Sequence, residues 1–121
     1  MDGNRQWPTE WMRGALALCV LAMVAEGEIY GYAIAQRLRG AGLGAVKGGT
    51  LYPVLARLEI DGLVISSWRE GEAGPGRKFF TITDAGLEEL RARIADWRTF
   101  TDKVATVINK FDARSVDDSS F

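Results

Sequence analysis

Histidine is absent from this chain of 121 residues, and cysteine occurs once, at Cys19. A single cysteine cannot form a disulfide within the chain, and the lack of histidine removes the usual catalytic base and the commonest metal ligand. No nucleophile–base pair, phosphate-binding loop or pair of carboxylates stands in a supporting context. The sequence therefore predicts no enzyme, no catalytic residue, no metal site and no cofactor. Cys19 lies in an apolar run and is interpreted as a small core residue.

Long hydrophobic runs are also missing. The longest, "ALALCVLAMVA" over 15–25, is shorter than the roughly 20 residues that cross a bilayer. Glu10 precedes this run and Glu26 and Glu28 follow it, which is unlike the layout of a signal peptide. We therefore expect a cytoplasmic protein with no membrane partner. The length and the 47% apolar content suit one domain with a modest core.

An excess of positive charge is lacking, because the 15 basic residues are outnumbered by 16 acidic ones. This balance argues against a strong non-specific binder of polyanions. The distribution of the charge is uneven, however. The segment from Ile29 to Leu58 contains no acidic residue and four basic ones, which are Arg37, Arg39, Lys47 and Arg57. The positive charge is therefore local.

Two helices are predicted before residue 41. The first runs from Glu10 to about Ala25, with Thr9 as its N-cap, and it is apolar nearly all round from Ala15 onward. It should therefore be surrounded by other elements. The second covers residues 32–40 and is followed by the glycine-rich loop "GAGLGAVKGG".

A third helix is predicted in "GGTLYPVLARLEIDGLV" over 48–64. Thr50 is its expected N-cap, and Pro53 is then harmless because the first backbone N–H groups of a helix have no partner within it. Three leucines share one face at helical spacing, namely Leu51, Leu55 and Leu58. The opposite face carries Pro53, Ala56 and Arg57. The leucines are therefore expected to anchor this helix in the domain and the opposite face to meet a partner.

After Gly62 the spacing of apolar residues changes from that of a helix to that of β-strands. The segments "LVISSWRE" and "RKFFTIT" flank "GEAGPG", which predicts a β-hairpin with a flexible, protruding tip. A last helix is expected from Asp84, as its cap, to Phe111, and its apolar positions recur at spacings of three and four. This seam is too long for one small domain to cover alone. The remaining residues, 112–121, are polar and are predicted to be disordered.

This order of elements predicts a mainly α fold, a winged helix-turn-helix with a small β-hairpin over 1–83 and a long C-terminal dimerisation helix over 84–111. In that arrangement the third helix enters the major groove of DNA, and the hairpin, the wing, reaches the backbone or the adjacent minor groove. The alternative is a winged-helix module that binds protein without DNA.

Three motifs resemble the PadR-like transcriptional regulators: "YGYAIAQRL" over 30–38, "GTLYPVLARLEIDGLV" over 49–64 and "GPGRKFFTITDAG" over 74–86. The resemblance implies a homodimeric repressor that binds a palindromic double-stranded DNA operator. The single terminal helix is similar to the compact subgroup, some of whose members sense drugs or other aromatic compounds. Two departures from the family pattern are visible. Gly27-Glu28-Ile29 stands where Gly-Pro is usual, and Phe79-Phe80 replaces a tyrosine pair.

The candidate DNA-binding residues are Tyr30, Tyr32, Lys47, Thr50, Tyr52, Arg57, Arg77 and Lys78. Arg57 or Lys47 is expected closest to bases, and Thr50 and Tyr52 are expected at phosphates. The alternatives are core packing for Tyr52, a salt bridge from Arg57 to Glu59 or Asp61, packing against the wing for the other two tyrosines, and a solvated strand end for Arg77 and Lys78.

The candidate dimer interface consists of Leu87, Leu90, Ile94, Trp97, Val104 and Ile108. In drug-sensing relatives a tryptophan on this helix stacks on flat aromatic ligands between subunits. The resemblance therefore implies a ligand site at Trp97, with Trp11 and Met12 as neighbours and Asp96 or Asp102 as partners for a cationic ligand. The alternative for Trp97 is interface core, the commoner role of a large aromatic at helical spacing.

Overall fold

The computed structural model describes residues 5–71 and 74–119. Seven elements follow one another: α1 (Thr9–Glu26), β1 (Ile29–Tyr30), α2 (Gly31–Gly40), α3 (Gly48–Ile60), β2 (Val64–Gly71), β3 (Gly74–Ile82) and α4 (Asp84–Ser119). The chain divides into two compact units after Leu90. The predicted mainly α fold with a small winged sheet is confirmed. No helix in the described residues is long and apolar enough to span a membrane.

The core of the first unit is built around α1. Its buried residues are Leu16, Val20, Leu21 and Val24, which pack with buried residues of α2, α3 and the sheet. In α3 the buried residues are the predicted leucines, Leu51, Leu55 and Leu58. Burial of one such side chain is worth about 1.5–3 kcal/mol. The three leucines therefore fix the rotation of α3 about its axis.

The sheet has three antiparallel strands in the order β1-β3-β2, whereas the sequence predicted a two-stranded hairpin. The extra strand, β1, pairs Ile29 with Phe80 and Tyr30 with Phe79. It was not predicted because two residues are too few to show an alternating pattern. Strands β2 and β3 extend to Gly71 and from Gly74, so part of the predicted tip is strand, and residues 72–73 lie outside the described residues.

The helices begin differently from the prediction. Helix α3 starts at Gly48, and the carbonyl of Lys47 accepts bonds from the N–H groups of Thr50 and Leu51, each 2.9 Å long. Thr50 is therefore inside the helix, and its assignment as N-cap was wrong. Pro53 lies further inside than predicted, so the helix lacks one backbone hydrogen bond at that residue. The two glycines before Thr50 concealed the start, since glycine disfavours a helix interior.

Two other predicted caps were also wrong. Thr9 is the first residue of α1, and the N-cap is Pro8. At α4 the capping side chain belongs to Thr83, whose Oγ1 accepts the N–H of Gly86 at 2.9 Å, while Asp84 is already helical. Asp84 still suits the positive end of the helix. Thr83 and Asp84 are both good N-cap residues, and composition does not choose between them.

Helix α4 continues to Ser119, past the end predicted at Phe111. The predicted disorder over 112–121 was therefore wrong for 112–119, and residues 120–121 lie outside the described part of the chain. No glycine or proline follows Phe111 to stop a helix. Polarity alone was a poor reason to end it.

Candidate nucleic-acid interface

Helix α3 and its N-cap carry exposed side chains around the buried leucines. Lys47, Thr50, Tyr52 and Arg57 are all exposed. The side chain of Lys47 has no ion-pair partner within the described residues. The structure therefore leaves four of the eight candidate residues exposed on α3 and its N-cap, with Tyr52 and Arg57 about 140° apart around the helix.

The loop before α3 is braced by an N-terminal strap, residues 5–7. The side chain of Gln6 accepts a hydrogen bond from the N–H of Ala45 at 2.9 Å. The indole N–H of Trp7 donates to the carbonyl of Gly42 at 2.8 Å. Sequence reasoning missed this strap, because three residues without periodicity give no signal.

Gly44 shows how closely the strap packs. Its φ is +85°, a conformation that favours glycine, and an added Cβ would lie 2.5 Å from the carbonyl oxygen of Arg5. Lys47 and Thr50, Gln6 and Trp7 line one shallow pocket beside the loop. The strap thus reaches the start of α3.

Tyr52 lies against α2 while remaining 51% exposed. Its ring occupies a notch over Gly31, where an added Cβ would meet the Tyr52 hydroxyl at 2.6 Å. Tyr52 therefore combines packing with exposure, and its hydroxyl is placed over the first residue of α2. Tyr32, also on α2, is 63% exposed and lines an open groove with Gln36 and Arg39.

Arg57 forms an ion pair with Asp61, one helical turn later, with 3.4 Å between Nε and Oδ1. This is one of the two salt bridges considered from the sequence. The arginine side chain is still 75% exposed, and an exposed pair of this kind is worth less than about 1 kcal/mol. The ion pair therefore leaves Arg57 free to change partners.

One face of the sheet combines cations with aromatic rings. The ring of Tyr30 lies 5.2 Å from that of Phe79, edge to face. The guanidinium of Arg77 lies 4.6 Å above the Tyr30 ring, and that of Arg69 lies 4.5 Å above Phe79. Tyr30 thus packs against the wing, as its alternative assignment stated, and it carries an exposed cation on its face.

Arg77 and Lys78 point to opposite faces, because successive residues of a strand alternate. Lys78 turns to α3, where its Nζ lies 3.4 Å from Oε1 of Glu59. Ser66 on β2 donates a 2.6 Å hydrogen bond to the same carboxylate. That hydrogen bond and the charge of Lys78 hold the pKa of Glu59 below its ordinary value of 4.5.

The candidate interface residues of α4 differ in burial. Leu90 is only 7% exposed within the single chain, so it is a core residue of the first unit. Ile94 and Trp97 are half-buried. The large apolar side chains exposed further along α4 are Phe100, Val104, Val107, Ile108 and Phe111. Three of them, Phe100, Val107 and Phe111, were not among the candidate interface residues.

The candidate ligand residues belong to different units. In the second unit, Trp97 lies 6.1 Å from Phe100 between ring centroids, and Asp96 and Asp102 are exposed. In the first unit, Trp11 is 60% exposed and stacks on Trp7 at 6.2 Å, and Met12 is half-buried. Each group is placed by its own unit.

Comparison with known proteins gives consistent results. The family described as "Transcriptional regulator PadR-like family" matches residues 20–92. The transcriptional regulator Rv3488 of Mycobacterium tuberculosis is 40% identical over 81 residues, covering 67% of this chain and 74% of that protein. The family match over 20–92 contains α2, α3 and the whole sheet, which carry the candidate DNA-binding residues.

Solved structures agree on the fold. A PadR family transcriptional regulator from Eggerthella lenta has a TM-score of 0.75 and 37% identity, covering 82% of this chain and 86% of its own. Bacillus subtilis PadR, solved in complex with operator DNA, has a TM-score of 0.61 and 24% identity, covering 66% of this chain and 46% of its own. At that identity the second comparison concerns the fold alone.

Proposed function

Because the chain belongs to the PadR-like family of transcriptional regulators, which are not enzymes, we propose that it binds double-stranded DNA as a homodimer and represses transcription from a palindromic operator. Two copies related by a two-fold axis would place the half-sites about one helical turn, ~34 Å, apart. The cytoplasm is the compartment in which we expect it to act.

The observation that carries this proposal is the exposed surface of α3. Its leucines are buried, so the helix is held firmly, while Lys47, Thr50, Tyr52 and Arg57 are exposed. A recognition helix needs this combination, because the major groove admits a helix and offers base edges to its exposed side chains. Arg77 on the wing adds a cation that suits a phosphate contact.

The test is a gel shift of the purified protein on the DNA upstream of its own coding region, over a series of salt concentrations. Binding through several phosphates weakens steeply with salt, with a slope of about −0.9 per phosphate. We expect Lys47→Ala to weaken the shift and to reduce that slope by about one. Lys110→Ala removes the same charge from an exposed site on α4 and should change neither.

No shift on that DNA at low salt would favour the protein-binding alternative or a different operator. Repression is tested separately, by transcription from the same DNA in vitro. The protein should lower the transcript level, and an increase would identify an activator.

For the dimer, we propose the exposed apolar part of α4 as the interface, with Val104 and Ile108 at its centre. Ile108→Asp should produce monomers, since it places a charge in an apolar seam. Asn109→Asp adds the same charge to the neighbouring position and should leave the dimer intact. Leu90 is unsuitable for this test because it is buried within the chain. Sedimentation measures the outcome, and a dimeric Ile108→Asp variant would exclude this part of the helix.

Release by a small aromatic effector is the finer part of the proposal, supported by the half-buried Trp97 on α4. A panel of planar aromatic compounds is added to the gel shift. One that reverses the shift in the native protein, but not in Trp97→Ala, would assign the effector site to this tryptophan. If none reverses it, Trp97 is interface core.

A further inference from the structure

We propose that carboxylates around the candidate interface compete with DNA phosphates for its cations and thereby suppress non-specific DNA binding. The inference rests on the proposed function and adds a basis for its specificity. Three pairs carry it: Arg57 with Asp61, Lys78 with Glu59, and Arg69 with Glu28.

The three carboxylates come from different places around the sheet and α3. Asp61 caps the C-terminus of α3, and Glu59 lies in the last turn of that helix. Glu28 lies between α1 and β1, and it reaches Arg69 on β2 across 41 residues of sequence. The pairing is therefore a property of the fold, not of one local sequence motif.

Glu59 is the best fixed of the three. Ser66 donates a hydrogen bond to Oε2, and Lys78 approaches Oε1. A carboxylate held in this way stays ionised at neutral pH, so Lys78 faces a negative charge in the absence of DNA. Arg69 is fixed on its own side by the ring of Phe79 below its guanidinium.

Two candidate cations lack such an opponent. Within the described residues, Lys47 has no carboxylate partner, and Arg77 contacts the ring of Tyr30 instead. These two charges attract DNA at a distance. A paired cation contributes much less, because the field of an ion pair falls off faster than that of a single charge.

Specific and non-specific DNA complexes differ in how they use the paired cations. In a docked operator the phosphates are held at fixed positions and can replace the carboxylates. Exposed ion pairs are weak, so this exchange is cheap. In a loose non-specific complex the attraction comes from long-range charge. The carboxylates therefore weaken non-specific binding more than operator binding.

The experiment compares two double variants that each remove two negative charges. Glu59→Gln with Asp61→Asn removes two of the competing carboxylates, and the Gln amide oxygen can still accept from Ser66. Glu10→Gln with Glu88→Gln removes two exposed carboxylates that oppose none of the three cations. Dissociation constants are measured over a salt series for the upstream duplex and for a random-sequence duplex of equal length.

We expect Glu59→Gln with Asp61→Asn to tighten binding to the random duplex by about 2- to 25-fold, from about 1.4- to 5-fold per pair. The salt slope should steepen by up to about 0.9 for each cation released. Binding to the upstream duplex should tighten less, so the ratio between the two duplexes falls. Each single variant, and Glu28→Gln, should show a smaller change of the same sign, which keeps the test independent of any one variant's folding.

Equal effects of the two double variants would overturn the inference, because net charge alone would then explain the gain. An unchanged or increased ratio between the duplexes would overturn it too. If the native protein binds neither duplex at any salt concentration, the proposed function fails first, and that result is seen before any variant is compared.

Discussion

Gly86, in the first turn of α4, packs against Leu63 and Ile82, and its substitution tests how much this contact contributes to stability. An added Cβ would overlap the carbonyl oxygen of Leu63 and would lie 2.7 Å from Cγ1 of Ile82. Both the oxygen and the adjacent carbonyl carbon, 3.0 Å away, are backbone atoms, which cannot rotate aside. Gly86→Ala therefore requires the backbone at Leu63 to move.

The magnitude follows from what that movement breaks. The Leu63 carbonyl accepts a hydrogen bond from the N–H of Thr83 at 3.0 Å, whereas the Thr83 hydroxyl, 3.1 Å away, has a nearer acceptor in the carbonyl of Gly62 at 2.7 Å. The bond from the N–H is worth about 0.5–1.5 kcal/mol, and overpacking a buried site costs about 1–3 kcal/mol. The free energy of unfolding should therefore fall by about 1.5–4.5 kcal/mol, which is about 6–18 °C in Tm at ~4 °C per kcal/mol.

The assay is thermal or urea unfolding followed by circular dichroism at one protein concentration, because the proposed dimerisation would make Tm concentration-dependent. The matched control is Gly14→Ala in the middle of α1, where an added Cβ meets nothing within 4 Å. Alanine there should stabilise by about 0.5–1 kcal/mol through helix propensity. A Gly86→Ala variant within ~0.5 kcal/mol of the native protein would refute the reasoning, as would equal effects at both glycines.

Three smaller predictions follow from other contacts. Gly31→Ala should displace the ring of Tyr52 with little loss of stability, because the added Cβ would meet only side-chain atoms of Tyr52 and no backbone. If the DNA affinity of this variant is unchanged, Tyr52 makes no contact with DNA. Ser66→Ala should raise the pKa of Glu59 towards 4.5, measured by NMR titration. Because the folded pKa is lowered, the native protein's stability advantage over this variant should be present above pH 4.5 and be lost as the pH falls through the folded pKa. Burial raises the pKa of the Cys19 thiol, so native protein should be alkylated more slowly than unfolded protein, and equal rates would contradict that burial.

The sequence predicted the helices and the two long strands because each carries a repeated pattern. Leu51, Leu55 and Leu58 recur at helical spacing, and they are the buried residues of α3. The face opposite to them was thereby predicted as well, and Ala56 and Arg57 on that face are exposed. Periodicity averages over many residues, so one misplaced cap does not disturb it.

Features that rest on one or two residues were not predicted. Strand β1 consists of Ile29 and Tyr30, and it forms only because β3 offers an edge to pair with. The strap depends on the side chains of Gln6 and Trp7, which bond to backbone groups 35 to 39 residues away. Nothing in the neighbouring sequence of either feature encodes the partner, because the partner is brought near by the rest of the fold.

The two positions at which this sequence departs from the PadR pattern both contact the side chain of Arg69. Glu28 stands where proline is usual, and Phe79 stands where a tyrosine is usual. Arg69 contacts both of them, pairing its guanidinium with the Glu28 carboxylate and lying 4.5 Å above the Phe79 ring. Read from the sequence, 51 positions separate the departures and they look independent. In the fold they form one site on the wing, so a contact inferred from the family at either position has to be considered together with the other.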